Sequence, residues 1–147
     1  MMIREAMESD LPAILALYLH LHETNVPEMD ARVLGVWGSI LRDKNHHLIV
    51  CEEDGKIVSS CVCVIVPNLT RNARPYALIE NVVTHPAYRK KGLASACLAF
   101  AVQSANEKNC YKIMLMTGAK DDGTLDFYRR AGFDDAEKTA FVQRLED

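Results

Sequence analysis

A chain of 147 residues, 49% hydrophobic and 25% charged, has the size and make-up of one ordinary globular domain. It is large enough to hide about 68–70% of its unfolded surface without a disulfide or metal staple. A net charge of −3 excludes the broad basic field of a general nucleic-acid binder, so no nucleic-acid partner is expected.

The chain begins MMIREAMESD, with charges where a signal peptide needs an apolar core, and no apolar run approaches the ~18 residues of a membrane span. No membrane partner is expected, and the expected location is cytoplasmic. Five cysteines (Cys51, Cys61, Cys63, Cys97, Cys110) fit that location as reduced core residues. Cys61 and Cys63 share a strand face, but no second Cys/His pair with zinc-like spacing accompanies them, so no metal is expected. The pairs His20/His22 and His46/His47 likewise lack a ligand cluster.

No repeat or low-complexity linker interrupts residues 1–147, which predicts a single domain. Ile3 to Ala6 reads as a first strand. Ser9 or Asp10 is placed to cap a helix with Pro12 in its first turn. Leu11, Ile14, Leu15, Tyr18 and Leu19 follow the spacing of one buried helical stripe. A second helix is predicted between Glu28 and Arg42, with Leu34, Trp37, Ile40 and Leu41 inward, although Gly35 and Gly38 weaken it.

The period then changes. His47 to Glu52 and Ile57 to Val66 are β-rich, and Asp54-Gly55 between them suits a tight hairpin turn. Residues 76–83, YALIENVV, form another strand with a polar pair, Glu80-Asn81, in its middle; such a strand either faces water there or splays at a bulge. A helix follows from about Gly92 to Lys108, with Leu93, Cys97, Phe100, Ala101 and Ala105 on its buried face. A strand at 111–117, a short helix at 124–133 stopped by Gly132, and a last strand at 139–145 complete the chain. The fold class is α/β: β-α-α-β-β-β-α-β-α-β, a mixed central sheet with helices on its faces.

The turn before the long helix, RKKG, joins Arg89, Lys90 and Lys91 to Gly92. A strand-to-helix turn exposes unpaired backbone N–H groups at the helix's positive end, and phosphate is their natural guest. Three cations on a loop also suit a plain solvated surface. Neither GxxxxGK[ST] nor GxGxxG is present. The spacing Arg89-x-x-Gly92-x-Ala94 instead resembles the (Q/R)-x-x-G-x-(G/A) motif of the GCN5-related N-acetyltransferase (GNAT) family. IREAMESDLPAILALY resembles that family's first strand and helix, IENVVTHPAYRKKGLA its fourth strand and cofactor loop, and LDFYRRAGF its FYxxxGF segment. The resemblance spans nearly the whole chain.

It implies the GNAT acyl-CoA N-acyltransferase fold and an enzyme that passes the acetyl group of acetyl-CoA to a primary amine of a small molecule by direct attack on the thioester. Val82, Val83 and Thr84 would pair with the pantetheine arm. Arg89, Lys90, Lys91, Gly92, Leu93, Ala94 and Ser95 would surround the pyrophosphate, mainly through main-chain N–H groups. Tyr128 matches the family tyrosine near the sulfur; with an ordinary pKa of about 10, above the thiol's, it stays protonated and can donate. Its alternative role is packing beside Phe127 and Phe133.

Glu80 is the candidate base, most effective if burial raises its pKa; binding the acceptor or a structural bond are its other readings. His85, before Pro86, is a minor base candidate and reads mainly as a turn residue. The oxyanion would be held by the N–H of Val82 or Val83. Many relatives have asparagine where this chain has Asp121, so Asp122 or Thr124 would replace its contact, or none does. Residues 21–43, including Glu23, Glu28, Asp30 and Trp37, would wall the acceptor site and suit a cationic amine such as an aminosugar or polyamine. Arg71 and Arg74 face either that pocket or water. Relatives often dimerise, so a homodimer is a further expectation. The competing functions are a non-catalytic acyl-CoA-binding sensor and acetylation of a protein N-terminus or lysine.

Overall fold

The alternation of β-rich and helical stretches becomes a five-stranded sheet with helices on both faces in the computed structural model, which describes residues 1–146. The chain divides into two compact units, Met1–Leu115 and a smaller one from Met116 onward. The first contains β1 (Met2–Glu5), α1 (Leu11–Leu17), α2 (Ala31–Arg42), β2 (His46–Glu53), β3 (Lys56–Val66), α3 (Thr70–Ala73), β4 (Tyr76–Thr84), α4 (Leu93–Glu107) and β5 (Ile113–Leu115). The second contains α5 (Asp122–Arg130). The sheet order is β1-β2-β3-β4-β5; the first three pairings are antiparallel and β4–β5 is parallel. No helix of the described residues is long and apolar enough to cross a membrane.

Strand alternation divides the core between the two sheet faces. Leu48, Val50 and Val62 point one way and pack with Leu11, Ile14 and Trp37 of α1 and α2. Cys61 and Cys63 point the other way, under α4: the Cys61 Sγ lies 3.6 Å from the Cys97 carbonyl and the Cys63 Sγ 4.0 Å from that of Ala101. Two cysteines two apart on a strand thus meet residues four apart on a helix. The alanines of α4 permit that approach; Ala101 and Ala105 are buried with Cys97 and Leu98. All five thiols are free. Asp54 and Gly55 both have positive φ, as the expected hairpin turn requires.

Several local expectations are corrected. Asp10 holds the N-cap position of α1, but its side chain makes no cap bond there. The Asp10 carboxylate instead accepts two bonds from the Arg4 guanidinium, at 2.7 and 3.1 Å, and one from the Met7 N–H. The helix ends at Leu17 and tightens into a 3-10 turn at Tyr18–His20, which buries Leu17 and leaves Leu19 exposed. Asp30 caps α2, which starts at Ala31; its buried stripe runs through Val33, Trp37 and Ile40, so Leu34 and Leu41 are exposed rather than inward. The ladder of β5 is shorter than 111–117, although the N–H of Tyr111 and the carbonyl of Lys112 still bond to the entry of β4. The strand expected at 139–145 is not formed: Phe141 is 91% and Leu145 94% exposed. A strand exists by pairing, and among the described residues its unit contains no other strand to pair with.

Candidate active site

The sheet loses its regularity in β4. Up to Ile79 this strand is paired on both sides, with Cys63 of β3 and Leu115 of β5. There β5 ends, and Glu80–Thr84 continue with β3 alone in the ladder. The register passes from Val62↔Glu80 to Ser60↔Val83, so Asn81 and Val82 together oppose Cys61. That is a bulge. Asn81 sits in the left-handed region at φ +52, which asparagine tolerates better than most residues.

One extra residue exchanges the faces of everything after it. Ile79 lies with Cys63 on the α4 side, whereas Val83 falls with Ser60 on the α1–α2 side and Thr84 comes opposite Ser59. The Thr84 hydroxyl is 2.8 Å from that of Ser59, which donates to the Val83 carbonyl at 3.0 Å. On the other face the Tyr18 phenol reaches the Asn81 side chain, and burial raises its pKa above the usual tyrosine value. Glu80, beside Val62, is exposed, so the burial that would have tuned a base is not found.

From Thr84 the chain enters the basic turn. His85 behaves as a turn residue, its Nδ1 accepting from the Ala87 N–H at 3.1 Å. The Arg89 Nε donates back to the Thr84 carbonyl at 3.3 Å, and the Lys91 ammonium lies 5.0 Å above the Tyr88 ring. Lys90 and Gly92 have φ of +62 and +78. Gly92 is the N-cap of α4 with no side-chain cap bond, and the first backbone bond of the helix runs from the Ala96 N–H to the Gly92 carbonyl. The N–H groups of Leu93, Ala94 and Ser95 therefore have no helical carbonyl to meet. Leu93 turns its side chain into the core and offers only its backbone here. A Cβ added at Gly92 would touch nothing, so the glycine answers to its left-handed backbone and leaves open space above the amides.

The remaining candidates divide between the units. Glu80, Val82, Val83, Thr84 and Arg89–Ser95 are consecutive parts of β4, the turn and α4 in the first unit. Tyr128 lies on α5 in the second, half-buried, with its ring 5.0 Å from that of Phe127. Asp121 caps α5, accepting from both the N–H and hydroxyl of Thr124 at 2.9 Å; the backbone bond, then the hydroxyl, holds its carboxyl below the usual range. Gly132, at φ +99, ends that helix as expected.

Of the expected acceptor wall, Trp37 is buried and donates to the Glu8 carbonyl, and Asp30 is spent on a cap, while Glu23 and Glu28 are exposed. Arg74 bonds the carbonyls of Asn109 and Cys110, and Arg71 lies over the Tyr111 ring. Ser59 escaped sequence reasoning; the polar pair Ser59-Ser60 inside an apolar strand was its only signal. Among the described residues no group of three or more His, Cys, Asp or Glu side chains is placed to share a metal.

Comparison with known proteins bears on this geometry. The model of the acetyltransferase (GNAT) family matches residues 10–133. A glucosamine 6-phosphate N-acetyltransferase of Trypanosoma brucei brucei is 32% identical over 141 residues, which cover 89% of this chain and 87% of the relative. A solved structure from Agrobacterium tumefaciens str. C58, described provisionally as an acetyltransferase, is 41% identical with a TM-score of 0.89, covering 98% of this chain and 99% of its own. The glucosamine-6-phosphate N-acetyltransferase of Arabidopsis thaliana superposes with a TM-score of 0.87 at 23% identity, a likeness of fold, over 99% and 98% of the two chains.

Proposed function

This chain belongs to the acetyltransferase (GNAT) family, and from that premise we propose that it transfers the acetyl group of acetyl-CoA to a primary amine of a small molecule. One observation carries the reading: β4 outruns β5 after Ile79, leaving its edge open past the bulge, and that edge leads through the basic turn into an uncapped helix N-terminus at Gly92. An extended amide-bearing arm fits the first and a diphosphate the second. Acetyl-CoA, when bound, supplies an acetyl group activated as a thioester.

The residues then have distinct tasks. Val82–Thr84 offer backbone groups to the arm, and the amides of Gly92–Ser95 hold the pyrophosphate with help from the flanking cations. As the amine nitrogen forms the new C–N bond and the C–S bond breaks, the amine's proton leaves to Glu80, directly or through water. The N–H of Val82 or Val83 holds negative charge on the carbonyl oxygen, and Tyr128 gives a proton to the departing sulfur. An exposed Glu80 is suited to water-relayed transfer. The trypanosomal relative's name makes an aminosugar phosphate the first acceptor to try, and the exposed Glu23 and Glu28 keep polyamines on the panel. The reading extends to a cytoplasmic protein, which five free thiols suit, working alone or as a homodimer.

Calorimetric titration with acetyl-CoA tests the site. The wild type should bind and Gly92→Glu, which sets a bulky anion among the amides, should lose at least about a hundredfold in affinity, roughly 2.7 kcal/mol. Equal affinity in the two proteins removes the turn from the site. Release of free thiol with a panel of amines tests turnover; binding without release for any acceptor would favour the sensor.

A further inference from the structure

We propose that Ser59, on β3, is a positioning residue for the coenzyme site: its hydroxyl holds β4 beyond the bulge in the register that carries the open edge into the phosphate-binding turn. The inference rests on the function proposed above and adds a residue outside the segment that touches the coenzyme.

Ser59 is 0% exposed. Burying a hydroxyl in apolar surroundings is costly unless its bonding capacity is used; here the Cys97 thiol on α4 is one partner, and two bonds go to β4. The hydroxyl donates to the Val83 carbonyl at 3.0 Å and accepts from the Thr84 hydroxyl at 2.8 Å. Both partners follow the bulge. Without the extra residue Asn81, the odd-numbered residues of β4 would keep facing α4, and Thr84 would turn away from Ser59. The two bonds therefore exist only in the bulged register and stabilise it against slippage.

The consequence reaches the turn. The carbonyl of Thr84 accepts from the Arg89 Nε, and the N–H of His85 bonds to the Val58 carbonyl on the same strand as Ser59. Thr84 is thus held at its side chain by β3 and at its backbone by the first cation of the turn. Ser59 fixes the point where the arm-pairing edge becomes the diphosphate cradle.

Ser60 provides a matched control. It is equally buried, but its hydroxyl donates to the Ile49 carbonyl on β2, away from β4. Ser59→Ala and Ser60→Ala each remove one buried, bonded hydroxyl and should lower the melting temperature similarly. Only Ser59→Ala should raise the Kd for CoA in calorimetry, by about tenfold, the size set by roughly one hydrogen bond. Its binding stoichiometry should stay at the wild-type value. A Kd within about twofold of wild type, an equal rise in Ser60→Ala, or a loss seen only as falling stoichiometry overturns the proposal.

Amide hydrogen exchange in the ligand-free protein separates this inference from the reading beneath it. Faster exchange at Thr84 and His85 in Ser59→Ala than in Ser60→Ala supports the strut even if the wild type binds no CoA, a result that would defeat the proposed function alone. Equal exchange in the two variants overturns the strut.

Discussion

The proposed proton work falls to Glu80, an exposed carboxylate, and Tyr128, a half-buried phenol. If Glu80 takes the amine's proton, Glu80→Gln should lower kcat about a hundredfold and leave the acceptor KM nearly unchanged; if it only binds the acceptor, KM rises instead. Steady-state kinetics against the acceptor decides. Tyr128→Phe removes a single oxygen and the proton it carries, with little change of shape. Its kcat should fall about tenfold or more with the affinity for acetyl-CoA preserved, and a full kcat would leave Tyr128 a packing residue. Asp121 shows why residue roles are hard to carry over singly. A carboxylate three residues before Thr124 is an excellent helix cap, and that use accounts for it without reference to any ligand.

At the scale of elements, the informative segments were those that broke their own pattern. Glu80-Asn81 in an apolar strand pointed to a water-facing side or a bulge, and the structure has both, because a polar pair with an asparagine suited to positive φ is a cheap place to insert a residue. Gly92 stood out as the glycine of a basic turn, and its left-handed backbone is what the structure adds. What sequence did not disclose was which partner each polar group would take. Asp10 looked like a cap and became the anchor of β1 to α1 through Arg4.

That anchor has a pH dependence. Chiefly through its bonds to Arg4, opposed by burial, the Asp10 carboxyl is held below its ordinary value of 3.8. Its stabilising effect is therefore complete above that ordinary value and is lost as pH falls through the lower folded one. Asp10→Asn, which leaves Arg4 its longer pairing with Glu52, should cost on the order of 2 kcal/mol near neutral pH. The gap between the two proteins' urea-unfolding free energies should close below about pH 4.

For the whole molecule, the order of elements and the face each presents were legible because periodicity and turn chemistry are local. The terminal stretch at 139–145 was not: it has the composition of a strand, but pairing is a property of neighbours rather than of the segment. The exact helical stripes escaped for a related reason. A shift of one position, as from Leu34 to Val33, follows from how a helix rolls onto its sheet, with Trp37 as the pivot.

The sulfurs beneath α4 give the protein a built-in clock. Burial pushes the thiols of Cys63 and Cys97 up to about 12 and that of Cys61 higher still, while Cys51 is equally enclosed and only Cys110 is half-buried. A thiol-reactive dye should therefore label one site quickly and four at the rate at which the helix lifts from the strands. Saturating coenzyme, if it grips the amino end of that helix, should slow the four without touching the one, so occupancy can be timed without knowing which amine the enzyme serves.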